Sequence, residues 1–166
     1  MTIKIDWELY TKAQQEAIKS IFENDGIEYD ENEYRCSMIY AIEMGKWCKM
    51  SYQPTEMLYS RYCWHYGVDI SNFIELGLEQ RTLRTVFEVL RAGLDTYEVM
   101  NFLTYNSSKY TSCQIKELLY GMLIGMNIKI MENEEYSANE MKDIRKSFEL
   151  KNGVEAETII KLARTL

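Results

Sequence analysis

The sequence predicts an all-α protein, an array of about six helix plus short-helix repeats forming a single compact or solenoid-like domain over residues 1–166. Three observations carry that expectation. Capping boxes recur ahead of apolar helical faces, a glycine closes each apolar run, and the composition leaves little material for hairpins. Gly totals 8 and Pro 1, and no Asn-Gly or Asp-Gly pair joins two alternating runs, so strand signals are missing.

The units are expected to start near residues 10, 30, 53, 79, 110 and 136. The best-punctuated one runs from Tyr110 to Ile128. Thr111 and Gln114 form a capping box, in which the hydroxyl takes a free backbone N–H of the first turn and the amide reaches back. Tyr110 can close onto Ile115, while Ile115, Leu118 and Met122 share one face and Gly125 supplies the left-handed stop. With Gln114 as position zero, the same pattern falls on Gln14, Tyr34, Glu56, Thr82 and Glu140.

Taken in order, the first unit opens with Tyr10-Thr11-Lys12-Ala13-Gln14 and stops at Gly26. The second starts at Asp30-Glu31-Asn32-Glu33, with Tyr34 as position zero, and stops at Gly45. Pro54, the only proline, opens the third, where its missing N–H costs nothing, and Gly67 ends it. The fourth, around Thr82, stops at Gly93, and the sixth repeats the tyrosine-plus-box start at Tyr136-Ser137-Ala138-Asn139-Glu140 and ends at Gly153.

Position four of the units reads Ile18, Met38, Ser60, Val86, Leu118, Ile144, and position eight reads Phe22, Ile42, Trp64, Leu90, Met122, Phe148. All but Ser60 are apolar and are assigned to the core, Trp64 included. Position seven is mostly small (Ala41, Cys63, Gly121, Ser147), as close helix approach requires. After the stop come pairs such as Val68-Asp69, Leu94-Asp95, Met126-Asn127 and Val154-Glu155, read as second caps. Shorter second helices are expected through Val99–Phe102, Ile70–Leu76 and Glu157–Leu162. Self-similarity at this spacing is the mark of a stacked helical array.

The segments Gln114…Leu118…Gly121-Met122…Gly125-Met126-Asn127-Ile128 and Glu140-Met141-Lys142-Asp143-Ile144-Arg145-Lys146-Ser147-Phe148-Glu149 resemble a degenerate tandem repeat of the Gln-Met-x-x-Ile-Arg-x-Gly-Leu-Glu-x-Gly-Leu-Asp-Val type. That repeat belongs to uncharacterised proteins of Gram-positive bacteria and their mobile elements. The resemblance covers residues 80–156 and weakens toward the N-terminus. It implies a helical repeat and no known activity.

Formal charge is −7, and residues 1–100 hold the whole imbalance, with 10 basic and 17 acidic residues against 9 of each in 101–166. Direct nucleic-acid binding is thereby disfavoured. The longest uncharged run, Leu118–Ile128, is too short to span a membrane, and no export signal is visible at the N-terminus, so a cytoplasmic location is expected. Cys36, Cys48, Cys63 and Cys113 form no Cys-x-x-Cys pair and are expected as free, mostly buried thiols.

No catalytic, metal or cofactor motif is present, and neither catalytic nor metal residues are assigned. The alternative to a non-enzymatic protein is a cysteine- or metal-dependent enzyme centred on Cys63 and His65. Residues two apart on a helix lie about 200° apart in rotation, which argues against that pair. The stripe Lys142, Arg145, Lys146 is interleaved with Glu140, Asp143 and Glu149 and is read as a solvated face. The favoured function is an interaction module for a basic protein or nucleoprotein partner, with an anti-CRISPR-like inhibitor of a host defence nuclease as its sharpest form. Its partner-binding residues are assigned as the acidic run Asp25, Glu28, Asp30, Glu31, Glu33 and the aromatic-rich set Arg61, Tyr62, His65, Tyr66, residue types that suit hot spots and charge steering.

Overall fold

Four of the main helices begin on a capping box, and the computed structural model of the chain, which describes residues 2–27 and 35–166, shows what those boxes hold. Nine α-helices form among the described residues: α1 (Lys12–Asn24), α2 (Met38–Trp47), α3 (Pro54–His65), α4 (Ser71–Glu75), α5 (Gln80–Arg91), α6 (Thr96–Asn106), α7 (Ser112–Leu123), α8 (Ala138–Asn152) and α9 (Ala156–Ala163). The protein is all-α. Boxes close at Thr11/Gln14, Gln53/Glu56, Thr111/Gln114 and Ser137/Glu140, each with a tyrosine just ahead of it.

Two of these boxes do more than start their own helix. The Gln14 amide Nε2 donates to the carbonyls of Met50 (2.9 Å) and Tyr52 (2.7 Å), the chain entering α3. Gln114 Nε2 donates likewise to the carbonyls of Glu134 (3.4 Å) and Tyr136 (2.7 Å), the chain entering α8. The accepting residues sit at the same two offsets before the next box in both cases. Each glutamine is buried, so its amide must be satisfied by protein, and it is satisfied by fixing where the next helix begins.

The stops are equally regular. After α1, α3, α5, α7 and α8 the residue following the glycine donates its N–H to the carbonyl five residues back: Ile27 to Phe22, Val68 to Cys63, Leu94 to Val89, Met126 to Gly121 and Val154 to Glu149. This is the Schellman bond, and it needs the left-handed conformation seen at Gly125 (φ 76°). The second caps follow. Asp69 accepts from the Ser71 N–H, Asp95 from that of Glu98 and Asn127 from that of Lys129.

Backbone packing groups the chain into two compact units, Met1–Ser71 and Asn72–Leu166. In the first, α3 packs on α1 and α2, around a core of Ile18, Phe22, Trp47, Met57 and Cys63. Ser60 is the one polar residue in its column because α3 runs close to the end of α2: its Oγ donates to the Lys46 carbonyl at 3.3 Å. In the second unit α7 lies between α5 and α8, and α9 packs against α5 and α7. Leu83, Val86, Val89, Ile115, Leu118, Leu119 and Met141 are buried there, each stabilising by roughly 1.5–3 kcal/mol on transfer from water.

The second repeat departs from expectation. Its start, residues 30–34, lies outside the described residues, and the helix begins only at Met38, where Ser37 Oγ accepts from the Tyr40 N–H. The register is therefore six residues later than the sequence pattern implies. Tyr40, Met44 and Trp47 turn inward, Ile39 and Ile42 stand 73% and 69% exposed, and Gly45 lies inside α2 instead of stopping it. Ahead of α2, Arg35–Ser37 (β2) pairs antiparallel with Thr2–Lys4 (β1), Ile3 opposite Cys36, a ribbon no sequence signal announces.

Trp64 is half-buried instead of core, because burial in α3 centres on Met57, Ser60 and Cys63. The second helix after Gly93 is full length (α6), and the one after Gly125 is a single 3-10 turn, Ile128–Ile130. Gly77 adds a left-handed stop after α4.

The double role of Gln114 separates two variants in urea denaturation. Thr111→Ala removes one cap and should cost about 1 kcal/mol. Gln114→Ala removes the box and also leaves the part-buried carbonyls at the entry to α8 without their donor, so it should cost about 2–3 kcal/mol. A Gln114→Ala variant no less stable than Thr111→Ala would show that the bridge to α8 contributes nothing.

Candidate protein-interaction site

The expected surface residues sort into two kinds. Asp25 and Arg61 face each other: Arg61 Nε donates to Asp25 Oδ2 and Nη2 to Oδ1, both at 2.9 Å, and the Tyr40 hydroxyl donates to the same carboxylate. The guanidinium also lies 5.7 Å from the centre of the Trp47 ring. Burial works to lower the Arg61 pKa and the Asp25 carboxylate outweighs it, holding the cation charged. The Tyr40 hydroxyl is pushed up, by burial first and by Asp25 second. Asp25 and Arg61 thus tie the end of α1 to α2 and α3, and are spent inside the first unit.

Tyr62, His65 and Tyr66 lie on the outer side of α3 and at its end. The rings of Tyr59 and Tyr62 stack at 6.0 Å, Tyr66 meets Tyr62 edge-on at 5.0 Å, and His65 meets Tyr66 edge-on at 5.0 Å. Tyr62 and Tyr66 are 48% and 41% exposed. The face arises because Met57, Ser60 and Cys63 take the inward positions of α3, which leaves positions 58, 62 and 65 outside. The remaining assigned residues, Glu28, Asp30, Glu31 and Glu33, lie outside the described residues.

Cys63 and His65 are separated as helix geometry requires. Cys63 is fully buried and burial pushes its thiol up to about 12, the opposite of what a nucleophile needs, while His65 is exposed. Cys36 and Cys48 are also buried and free, and Cys113 is exposed. Among the described residues no three His, Cys, Asp or Glu side chains converge as metal ligands, and no helix is long and apolar enough to cross a membrane.

The stripe Lys142, Arg145, Lys146 is not a solvated face. Arg145 is completely buried at the meeting of α7, α8 and α9. Its Nε donates to Glu117 (2.8 Å), Nη1 to Glu149 and Nη2 to Glu157 (3.0 Å), and its guanidinium lies 5.2 Å from the centre of the Tyr120 ring. Lys146 Nζ joins at 3.0 Å from both Glu149 and Glu157. Glu149 in turn accepts from the Ala156 N–H at 3.1 Å, so a side chain of α8 caps α9, whose own Glu155 makes no side-chain cap. Tyr120 donates to Glu88 (2.9 Å), which also receives Arg164 (2.7 Å). A signal existed in the sequence: in the two units before it position five reads Phe87 and Leu119, both buried, where α8 has Arg145, so the arginine falls where its neighbouring units bury an apolar side chain.

No protein-family model matches the chain, and no curated protein and no solved structure shows significant similarity to it.

Removing Arg145 would leave Glu117 and Glu149 buried without their cation, so Arg145→Met should cost about 3–5 kcal/mol, whereas Lys142→Ala on the exposed side should cost under about 0.5 kcal/mol. Chemical denaturation checks both. The network also sets a pH dependence. Burial would raise the Glu157 pKa, but Arg145 and Lys146 overcome it and hold the carboxyl at about 2, below its ordinary 4.5. A depressed carboxyl stabilises the fold above its unfolded pKa and loses that contribution as pH falls through the folded one. The stability gap between wild type and Glu157→Gln should hold at pH 6 and narrow between pH 4.5 and 2; a gap constant down to pH 2 would contradict the ion pairs.

Proposed function

We propose that this chain is a non-enzymatic helical-repeat protein that binds a basic protein or nucleoprotein partner through the outer face of α3. The observation that carries this reading is the exposed, mutually stacked set Tyr62, Tyr66 and His65, with Tyr59 beneath it. Rings that already hold one another lose little side-chain freedom on binding, so their apolar area is available as affinity. The sign of the partner's charge follows from the first unit itself, in which residues 1–71 carry 7 Lys or Arg against 12 Asp or Glu. Opposite charge steers encounter, and aromatic anchors slow departure.

Inhibition of a defence nuclease, with carboxylates standing where phosphates would bind, is the sharpest form of this reading. It rests on the mobile-element resemblance as an analogy. The enzyme alternative draws no support from Cys63, whose thiol is buried and protonated.

The test uses the full chain immobilised as wild type and as Tyr62→Ala/Tyr66→Ala, with captured proteins identified by mass spectrometry and their kinetics measured by surface plasmon resonance. A basic partner should dissociate at least about tenfold faster from the double variant, and its association should slow as salt rises. A partner indifferent to both tyrosines but dependent on Lys142 and Lys146 would place the interface in the other unit and refute the reading.

A further inference from the structure

In the second unit, α6 and the chain following α7 border two adjoining open clefts of about 490 Å³ each, which share Asn106 and Glu132 as walls and so form one trough. The first has an apolar floor, from Phe102, Met122 and Met126, and is overlooked by Tyr105, 68% exposed. The second is polar, walled by Glu134, Glu135, Asn133 and Tyr110. Four carboxylates, Glu98, Glu132, Glu134 and Glu135, stand on the rims against one cation, Lys109, and all four are exposed and without an ion-pair partner among the described residues.

The chemistry of the lining is one-sided. Asn106 spends its Nδ2 on the Phe102 carbonyl at 2.9 Å; Asn133, whose Oδ1 accepts from the Glu135 N–H at 3.0 Å, keeps its amide donors, and these with Lys109 stand against the four carboxylates. Gln114, from below, uses its amide donors on Glu134 and Tyr136, which fixes the far wall. What faces the trough is chiefly acceptors and negative charge, over an apolar base. Guanidinium and ammonium groups are donors only, and their aliphatic stems lie well on apolar surface while the heads reach carboxylates. An exposed tyrosine face adds a stacking site suited to arginine. Phosphate is repelled by the same rims.

The geometry points to this trough as a docking groove for an extended basic peptide segment of a partner protein, an apolar side chain seated on Met122 and Met126 and Arg or Lys side chains held between Glu98, Glu132 and Glu134. The groove rests on the reading above only for the sign of the partner's charge, since it uses none of the α3 residues. It fits the occupancy expected of a peptide better than that of a free polyamine, because half of it is an apolar floor a polyamine cannot fill. The field at the polar end is already felt by Tyr110, whose hydroxyl is raised by burial and then by Glu132 and Glu134.

The probe is a fluorescein-labelled ten-residue peptide of alternating Arg and Leu, titrated by anisotropy at 150 mM salt, with an Asp-Leu peptide and spermine as controls. The Arg-Leu peptide should bind, and Glu98→Gln/Glu132→Gln/Glu134→Gln should weaken it at least about tenfold. The charge-matched Glu16→Gln/Glu79→Gln/Asp143→Asn should weaken it less than about twofold. Tyr105→Ala should weaken it measurably, and Tyr62→Ala/Tyr66→Ala should leave it unchanged. In wild-type amide spectra the shifts should concentrate on residues 98–106 and 126–135. Equal losses from the two triple variants, competition by spermine at equal concentration, or shifts spread over the surface would each overturn the groove. A silent groove with a tyrosine-dependent partner leaves the α3 reading standing, and the reverse result leaves only the groove.

Discussion

Most of this fold depends on one side chain used twice. A capping-box glutamine already serves its own helix by returning a hydrogen bond to the N-cap, and a glutamate does that as well. What Gln14 and Gln114 add is a donor: the oxygen closes the box while the nitrogen reaches the chain that leads into α3 or α8. The start of one helix and the entry to another become a single constraint. Burial makes the constraint strict, because a buried amide without acceptors costs about 1–3 kcal/mol. Where the box has Glu56 or Glu140 instead, the carboxylate has no donor to offer, and only the box itself forms.

This explains what could be read from the sequence and what could not. Helix starts at Thr11, Gln53, Thr111 and Ser137 and stops at Gly26, Gly67, Gly93, Gly125 and Gly153 are local chemistry, complete within a few residues, and they were legible. The start of α2 was not, because Ser37 caps with Tyr40 at the third position and no glutamine or glutamate marks the box. An acidic cluster at 30–33 resembled a better start. One misplaced cap then rotated a whole helix in the expectation, sending Met38 and Ile42 inward on paper when Tyr40 and Trp47 hold those places.

The candidate surface shows the same division. That Tyr62, His65 and Tyr66 cannot all face inward follows from α3 alone, and they stand outside. That Arg61 is occupied could not be read, because its partner Asp25 belongs to another helix and the pair forms only when α1 and α3 meet. The groove on the second unit was invisible for a related reason: Glu98 and Glu132 are far apart in sequence, and neither α6 nor the loop after α7 is unusual by itself. Charge counts by segment, which made residues 101–166 look neutral, average away three carboxylates against one lysine on the rims of the trough, and assign the fourth, Glu98, to the other segment.

Arg61 and Arg145 occupy the same repeat position, the one filled by Phe87 and Leu119 in the apolar units, and each lies over an aromatic ring with its guanidinium held by carboxylates from another helix. Such groups add little net stability, since desolvation offsets most of the attraction, and replacing the arginine and its carboxylates together by apolar residues of similar volume would fill the space about as well. Their effect is on choice among arrangements. A Leu column tolerates sliding by a turn, because one apolar contact replaces another; a buried guanidinium tolerates no register in which its carboxylates are missing, where the cost rises by several kcal/mol. In an array of similar units, mispairing is the main competing state, since every α-helix presents much the same face. Glu149 makes the point sharply: it can hold Arg145 and cap Ala156 together only if α9 is seated in one place on α8. The charged position therefore distinguishes units that their apolar positions leave interchangeable.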